Sequence, residues 1–181
     1  MGLFDLFTKK PSGPVIRDLN WINKQGKWNG CLKLIAEHRE AILVCWFVEA
    51  AAELIQFAQS KNLPLPEIRN AQYLPASVVE NKTVIFLEHH PLFSREENLF
   101  KDWKVKQIYV LNSMDDSLFM HVGGQNLADL MRKMGQPEED PMEHSMISKS
   151  IRKLQEKIEK AITIENPAQS VEEWFRKNKS E

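Results

Sequence analysis

Glu88-His89-His90 follows directly on the apolar run Thr83-Val84-Ile85-Phe86-Leu87, which sets an acid and two imidazoles where a strand ends. In an open parallel sheet, ligands bind beyond the carboxyl ends of the strands, so this trio is the first candidate site. Glu143-His144 supplies a second acid–imidazole pair just ahead of a helical pattern. Carboxylate and imidazole together suit zinc and similar ions, so Glu88, His89, His90 and His144 define an alternative reading as a small metal-dependent enzyme. Their spacing does not require them to converge, and hydrogen-bonded turn residues are the plainer reading. Other searches for chemistry come up empty. None of the seven glycines opens a GxxxxGK[ST] loop, and there is no GxSxG elbow or HExxH helix. Gly123-Gly124 stands at a helix start, where free amides could hold an anion, although a simple turn is the plainer reading of the pair. Cys31 and Cys45 lack CxxC spacing and sit in apolar surroundings, so both read as buried thiols.

The elements that would position these groups alternate. Two helical patterns meet at Gly26, and in the second Trp28, Leu32 and Ile35 recur at helical spacing. Ala41 to Val48 is apolar on both faces, as a central parallel strand requires. Ala51, Leu54, Ile55 and Ala58 then mark one helical face, stopped by Leu63-Pro64-Leu65-Pro66. Strands are predicted at Thr83–Leu87 and Gln107–Leu111, with a shorter one near Glu67-Ile68-Arg69. This order implies an α/β fold with a mainly parallel sheet of about four strands flanked by helices. Ser113 with Asp116 resembles a capping box, and Leu127, Leu130, Met131 and Met134 form an apolar stripe closed by Gly135 and Pro137. A longer helix from Ser145 carries Ile147, Ile151, Leu154, Ile158 and Ile162 on one side, fit to pack on the domain or pair with another helix. Ser170 and Glu173 cap a last short helix bearing Trp174 and Phe175. The expected organisation is a tail over 1–14, an α/β domain over 15–144 and a C-terminal helical extension over 145–181.

With 181 residues, 43% hydrophobic and 27% charged, the composition is that of a globular domain able to bury its own core. A formal net charge of -1 argues against a dedicated nucleic-acid binder. No stretch reaches the length of a membrane span, and Met1–Phe7 lacks the features of a secretory signal, so a cytoplasmic location is expected. Leu3, Phe4, Leu6 and Phe7 suit packing against the domain first, and peripheral contact with a membrane or partner second.

The segment from Ile108 through Leu111-Asn112-Ser113-Met114-Asp115-Asp116 to Phe119 resembles a stretch of the SecA preprotein translocase ATPase family, in which a strand leads through an acidic turn into a helix. Leu130-Met131-Arg132-Lys133-Met134-Gly135 is similar to that family's helix end, and Pro141 through Ile151, continued by Gln155-Glu156-Lys157-Ile158-Glu159, to the start of its helical scaffold. The match is gapless over roughly fifty residues, which makes it specific rather than compositional. Upstream, Arg69-Asn70-Ala71-Gln72 resembles the family's Leu-Asn-Ala-Lys segment, and Ile85 to His90 its strand ending in Thr-Glu-Arg-His. The resemblance thus implies a P-loop NTPase fold, the RecA-like second motor domain, in which Asn70, Glu88 and His90 mark a vestigial nucleotide-binding region.

Two departures follow from the same resemblance. The family's Thr-Asn-Met-Ala-Gly-Arg-Gly-Thr-Asp loop is reduced to the link from Tyr73 to Lys82, which has no glycine, and its Arg-Gly-Arg-x-Gly-Arg motif is replaced by Phe100-Lys101-Asp102-Trp103-Lys104-Val105-Lys106, which has no arginine. Loss of an arginine finger alone costs on the order of a thousandfold or more in phosphoryl transfer. The expectation is therefore a non-catalytic accessory or regulatory protein without a cofactor, partnered by a translocation component or a SecA-like ATPase. Interaction candidates are Trp103, Lys101, Lys104 and Lys106 on one loop, and Glu143, His144, Ile147, Ile151, Leu154 and Ile158 on the following helix. An alternative is a nucleotide-responsive module that completes a site with a separate ATPase, its three loop lysines standing in for the missing arginines.

Overall fold

A computed structural model describes residues 14–121 and 123–178. Within them five strands form one open sheet: β1 (Ile16–Trp21), β2 (Ile42–Cys45), β3 (Ile68–Asn70), β4 (Thr83–Phe86) and β5 (Gln107–Ser113). The spatial order is β1-β5-β4-β2-β3 and every pairing is parallel. Helices α1 (Lys24–Glu37), α2 (Val48–Ser60), α3 (Ala76–Val79) and α4 (Phe93–Phe100) link the strands. Four more follow β5: α5 (Ser117–Met120), α6 (Gly124–Lys133), α7 (Ser145–Ala161) and α8 (Val171–Asn178).

The period of two along the central strands divides the core by face. Leu43, Cys45, Ile85, Leu87, Tyr109 and Leu111 face Trp28 and Cys31 of α1 and Leu54 of α2. Val44, Val84, Phe86, Ile108 and Val110 face Phe100 and Trp103 on the other side. Both faces are covered, which is why these runs read as apolar throughout. A third cluster sits over the carboxyl ends of the strands: Ile22, Phe47, Met114 and Leu118 pack there with Ile147 and Ile151 of α7 and Trp174 and Phe175 of α8. The C-terminal helices thus share their core with the sheet, and α7 packs on the domain rather than standing off it.

β1 is the strand that periodicity did not announce; helical patterns were expected on both sides of Gly26. Its alternate positions carry Asp18 and Asn20, both buried, so the polar residues that normally mark an exposed face lie inside. The Asn20 side chain donates to Met142 O at 2.9 Å and accepts from Asn112 Nδ2 at 3.2 Å, while Asn20 and Met142 form an antiparallel backbone bridge. The 138–143 segment therefore covers the outer edge of β1. α1 also runs straight through Gly26 rather than breaking there. A Cβ at Gly26 would lie 2.2 Å from Glu138 O, and one at Gly30 2.1 Å from the Trp21 ring. Two helical glycines cost about 1 kcal/mol each in propensity, and they admit the covering segment and a fully buried indole in return.

The apolar stripe expected on α6 is only half internal: Met131 is buried, whereas Leu130 and Met134 are exposed. At α8 the expected cap forms, with Glu173 N donating to Ser170 Oγ at 3.0 Å and Gln169 N to Glu173 Oε2 at 2.7 Å. Both cysteines are free and buried, and burial pushes each thiol up to about 12. Among the described residues no helix is long and apolar enough to cross a membrane. The apolar tail residues Leu3, Phe4, Leu6 and Phe7 lie outside the described residues.

Candidate functional site

The carboxyl ends of β2, β3, β4 and β5 gather the polar residues of the molecule into one edge. Cys45-Trp46-Phe47 leaves β2 and turns into α2; Asn70 ends β3; Glu88-His89-His90 leaves β4; Asn112 and Ser113 end β5. A parallel sheet with both faces covered sends its polar residues there, because the strand interiors must be apolar. Two recesses open on this edge. A small one of about 40 Å³ is lined by Glu88, Lys27, Asn112 and Asp116. A large one of about 660 Å³ lies over β2 and β3, bounded by Trp46, Asn70, His90, Arg95, Asn98 and Glu165.

Glu88 is buried, and its Oε1 accepts from the backbone N–H of Trp46 at 2.6 Å and of Phe47 at 3.1 Å. These amides lead into α2, whose N-terminal dipole also favours an anion. Oε2 has no hydrogen-bond partner among the described residues. Burial dominates and pushes this carboxyl up to about 7, against the opposing pull of Lys27 and the two amides. A further amide of this turn is also occupied, since Glu49 N donates to Gln169 O at 3.1 Å. Three amides at the mouth of α2, those of Trp46, Phe47 and Glu49, therefore bind groups of the chain itself.

His89 lies between two buried carboxylates, Nδ1 at 2.9 Å from Glu96 and Nε2 at 3.1 Å from Asp18. Both ring nitrogens have an acceptor, which is the arrangement of an imidazolium. Burial alone would lower its pKa; the Glu96 charge and the two hydrogen bonds outweigh it and raise the group to about 10. Asp18 is held below its ordinary value: its burial is outweighed by the bond to His89, the His89 charge and a bond to Ser148 taken together. The His90 side chain belongs to a different network. Its Nδ1 accepts from Leu92 N at 3.0 Å, which puts the ring proton on Nε2, 3.3 Å from Glu165. The ring stacks on Phe47 at 5.6 Å and meets Trp46 edge-on at 5.0 Å. Its carbonyl accepts from Gln155 of α7 at 2.7 Å. Glu165 also accepts from Trp174 Nε1 at 2.9 Å and Arg95 Nε at 2.7 Å. Burial would raise its pKa, but these donors bring it down to about 2. Lys27, 1% exposed, completes the edge by pairing with Asp116 at 2.7 Å, under the ring of Trp28.

Glu88, His89 and His90 are thus neighbours along the chain whose side chains have three different sets of partners, although the His90 backbone N–H also donates to Glu96 at 2.7 Å. His144 is elsewhere, capping α7 through Nδ1, which accepts from Met146 N at 3.2 Å. The four do not converge, and among the described residues no group of three His, Cys, Asp or Glu is arranged to hold a metal ion. Gly123, with φ of 86°, makes the turn into α6. Asn70 and His90 do share a recess, while Glu88 lines the smaller one beside it.

The loop candidates divide. Lys101, Lys104 and Lys106 are exposed, but backbone bonds from Asn81 N to Lys104 O and from Lys106 N to Lys82 O tie them to the start of β4, at the opposite edge from the carboxyl ends. None of the three lines the recesses described above. Trp103, a candidate anchor for a partner, is buried with Phe86 and Phe100. Glu143 forms an exposed ion pair with Arg17, and Ile147 and Ile151 are core residues, with Leu154 and Ile158 half-buried beside them. Sequence reasoning missed Lys27, Asp18, Glu96, Arg95 and Glu165. Asp18 and Lys27 occupy positions where a polar residue ordinarily faces solvent, so pattern alone gave no signal for them.

No protein-family model matches the chain. Curated relatives match over a short stretch, and each is a protein translocase subunit SecA. That of Treponema denticola is 47% identical over 47 residues, 26% of this chain and 5% of the relative. That of Christiangramia forsetii is 45% identical over 53 residues, 29% and 5% of the two chains. That of Sorangium cellulosum is 36% identical over 47 residues, 26% and 5%. The chain thus spans about one-twentieth of the length of these relatives, a partial similarity to SecA.

Proposed function

We propose that this chain is a non-catalytic, SecA-like accessory or regulatory module that works in protein translocation through contacts with a protein partner. The similarity to SecA supports the link to translocation. The observation that carries the non-catalytic part is the occupation of the α2 mouth: the Glu88 carboxylate sits on the Trp46 and Phe47 amides, and Gln169 O on the Glu49 amide. Amides at such a position are the usual cradle for a phosphate. A buried acid among them repels one, and the single arginine lining the large recess, Arg95, is engaged by Glu165. The glycine-free link from Tyr73 to Lys82 points the same way.

Isothermal titration of the purified chain with Mg-ATP is the direct test. The expected result is no saturable heat up to millimolar nucleotide. Binding at micromolar concentration, with release of phosphate, would overturn the reading. Affinity capture from the native cell tests the other half, where a translocase component must be among the proteins retained.

A further inference from the structure

The carboxyl edge ties its charges to one another, but one cationic row on the surface is left free. On α7, Lys149, Lys153, Lys157 and Lys160 follow one another at spacings of four, four and three, so they line one side of the helix. All four are exposed, and none has a carboxylate partner among the described residues. The neighbouring Arg152, by contrast, pairs with Glu156 at 2.9 Å and lies over the Phe93 ring. The row borders a groove of about 410 Å³ between α7 and the α5–α6 pair, floored by Phe119, Ile147 and Ile151. Lys153 and Lys157 form its rim with the small Ser150 between turns, and Leu127 of α6 forms the facing wall. From Leu127 the apolar surface continues along α6 at i+3 and i+7 to Leu130, 51% exposed, and Met134, 68% exposed. Met146, 68% exposed, extends the α7 side. Exposed methionines beside leucine make an adaptable surface for apolar side chains.

We propose that this groove is the docking site for an amphipathic α-helix of a partner protein, whose apolar stripe lies against Leu127, Leu130 and Met134 and whose acidic residues face Lys153 and Lys157. The inference rests on the protein-contact reading above and names the partner's chemistry. The unpaired lysine row selects the charge, since a rim of one sign steers and registers a segment of the other. The two helical walls select the shape, because a third helix can set its ridges into theirs. A strand would need an open sheet edge instead. The edge of β1 is covered by Met142, and the approach to β3 carries Pro64 and Pro66. A lipid surface would press on a convex apolar face, whereas here the apolar floor lies below the charged rim.

The test uses the full chain and a labelled helical peptide of about eighteen residues, with a Leu/Met stripe at i, i+3, i+4 and i+7 flanked by Glu. Fluorescence anisotropy compares it with the same peptide carrying Lys in place of Glu. The acidic peptide is expected to bind at least about tenfold tighter, and K153E/K157E to reverse that preference. Leu130→Ser is expected to weaken the acidic peptide by about threefold or more. These positions are exposed, and circular dichroism melts confirm that the variants remain folded. Equal binding of the two peptides, or a ratio unmoved by K153E/K157E, overturns the proposal. So does flotation with phosphatidylserine vesicles that the double variant abolishes, which would make the face a lipid-binding one. A translocase component captured equally by wild type and K153E/K157E would sink the groove and leave the accessory role standing. Peptide binding without any such component would do the reverse.

Discussion

The carboxyl edge and the α6–α7 groove treat their charged side chains in opposite ways. At the edge, Lys27, His89, Glu96, Asp18, Glu165 and Arg95 each have a partner within the molecule. On α7, four lysines have none among the described residues. A buried charge must be paired, because the desolvation of a lone ion is worth several kcal/mol. An exposed lysine is solvated and keeps its charge for an incoming group. The first region therefore holds the fold together at the carboxyl ends of the strands, where an open parallel sheet ordinarily binds its ligands, and the second is available to a partner.

The largest effect that separates the two regions is expected from Lys27→Met. It leaves the half-buried Asp116 without its cation and should destabilise by about 3 kcal/mol, seen as a lowered urea midpoint. K153E/K157E should stay within about 0.5 kcal/mol of wild type in the same assay. Equal losses in the two variants would break the comparison.

The His89 triad gives the next effect, through pH. A histidine raised from 6.5 to about 10 stabilises the fold fully below about pH 6.5 and loses that contribution as pH rises toward 10. Thermal melts of wild type should fall across this window relative to His89→Gln, which lacks the titration. Parallel curves for the two proteins would mean that His89 is neutral in the fold and the triad is held by ordinary hydrogen bonds.

The third effect has the opposite sense. Glu88, an acid raised from 4.5 to about 7, penalises the fold only when ionised. Its contribution is thus most favourable below pH 4.5, declines from 4.5 to 7 and is flat above. Glu88→Gln keeps an oxygen for the Trp46 and Phe47 amides and removes the ionisation. The stability of Glu88→Gln relative to wild type should therefore improve as pH rises through that interval. Urea midpoints at its two ends read the difference directly, and a constant difference would show that Glu88 keeps an ordinary pKa.

Much of the frame was legible in advance. The apolar runs Ala41–Val48, Thr83–Leu87 and Gln107–Leu111 pointed to the strands that form at Ile42–Cys45, Thr83–Phe86 and Gln107–Ser113, and the breakers around Pro64 and Pro66 placed the end of α2. The α7 stripe and the Ser170/Glu173 cap were readable because each depends on residues a few positions apart. β1 was not readable, since Asp18 and Asn20 are acceptable inside only when His89, Met142 and Asn112 arrive from far along the chain. Trp103 and the three loop lysines show the same limit. Their types suggested contact with a partner or a phosphate, and only the sheet could tell which edge they would reach.

The sequence by itself determined the α/β class, the parallel sheet and the positions of its central strands, because periodicity and capping act over one or two turns of chain. Tertiary structure alone decided that the side chains of Glu88, His89 and His90 would have three different sets of partners, that Glu165 and Gln169 would fold back over the carboxyl edge, and that the α7 lysines would stand unpaired beside a groove. The physical reason is the range of the interactions. Burial and charge pairing are settled by whichever groups the fold brings within a few ångströms, and those partners lie tens of residues away in the chain.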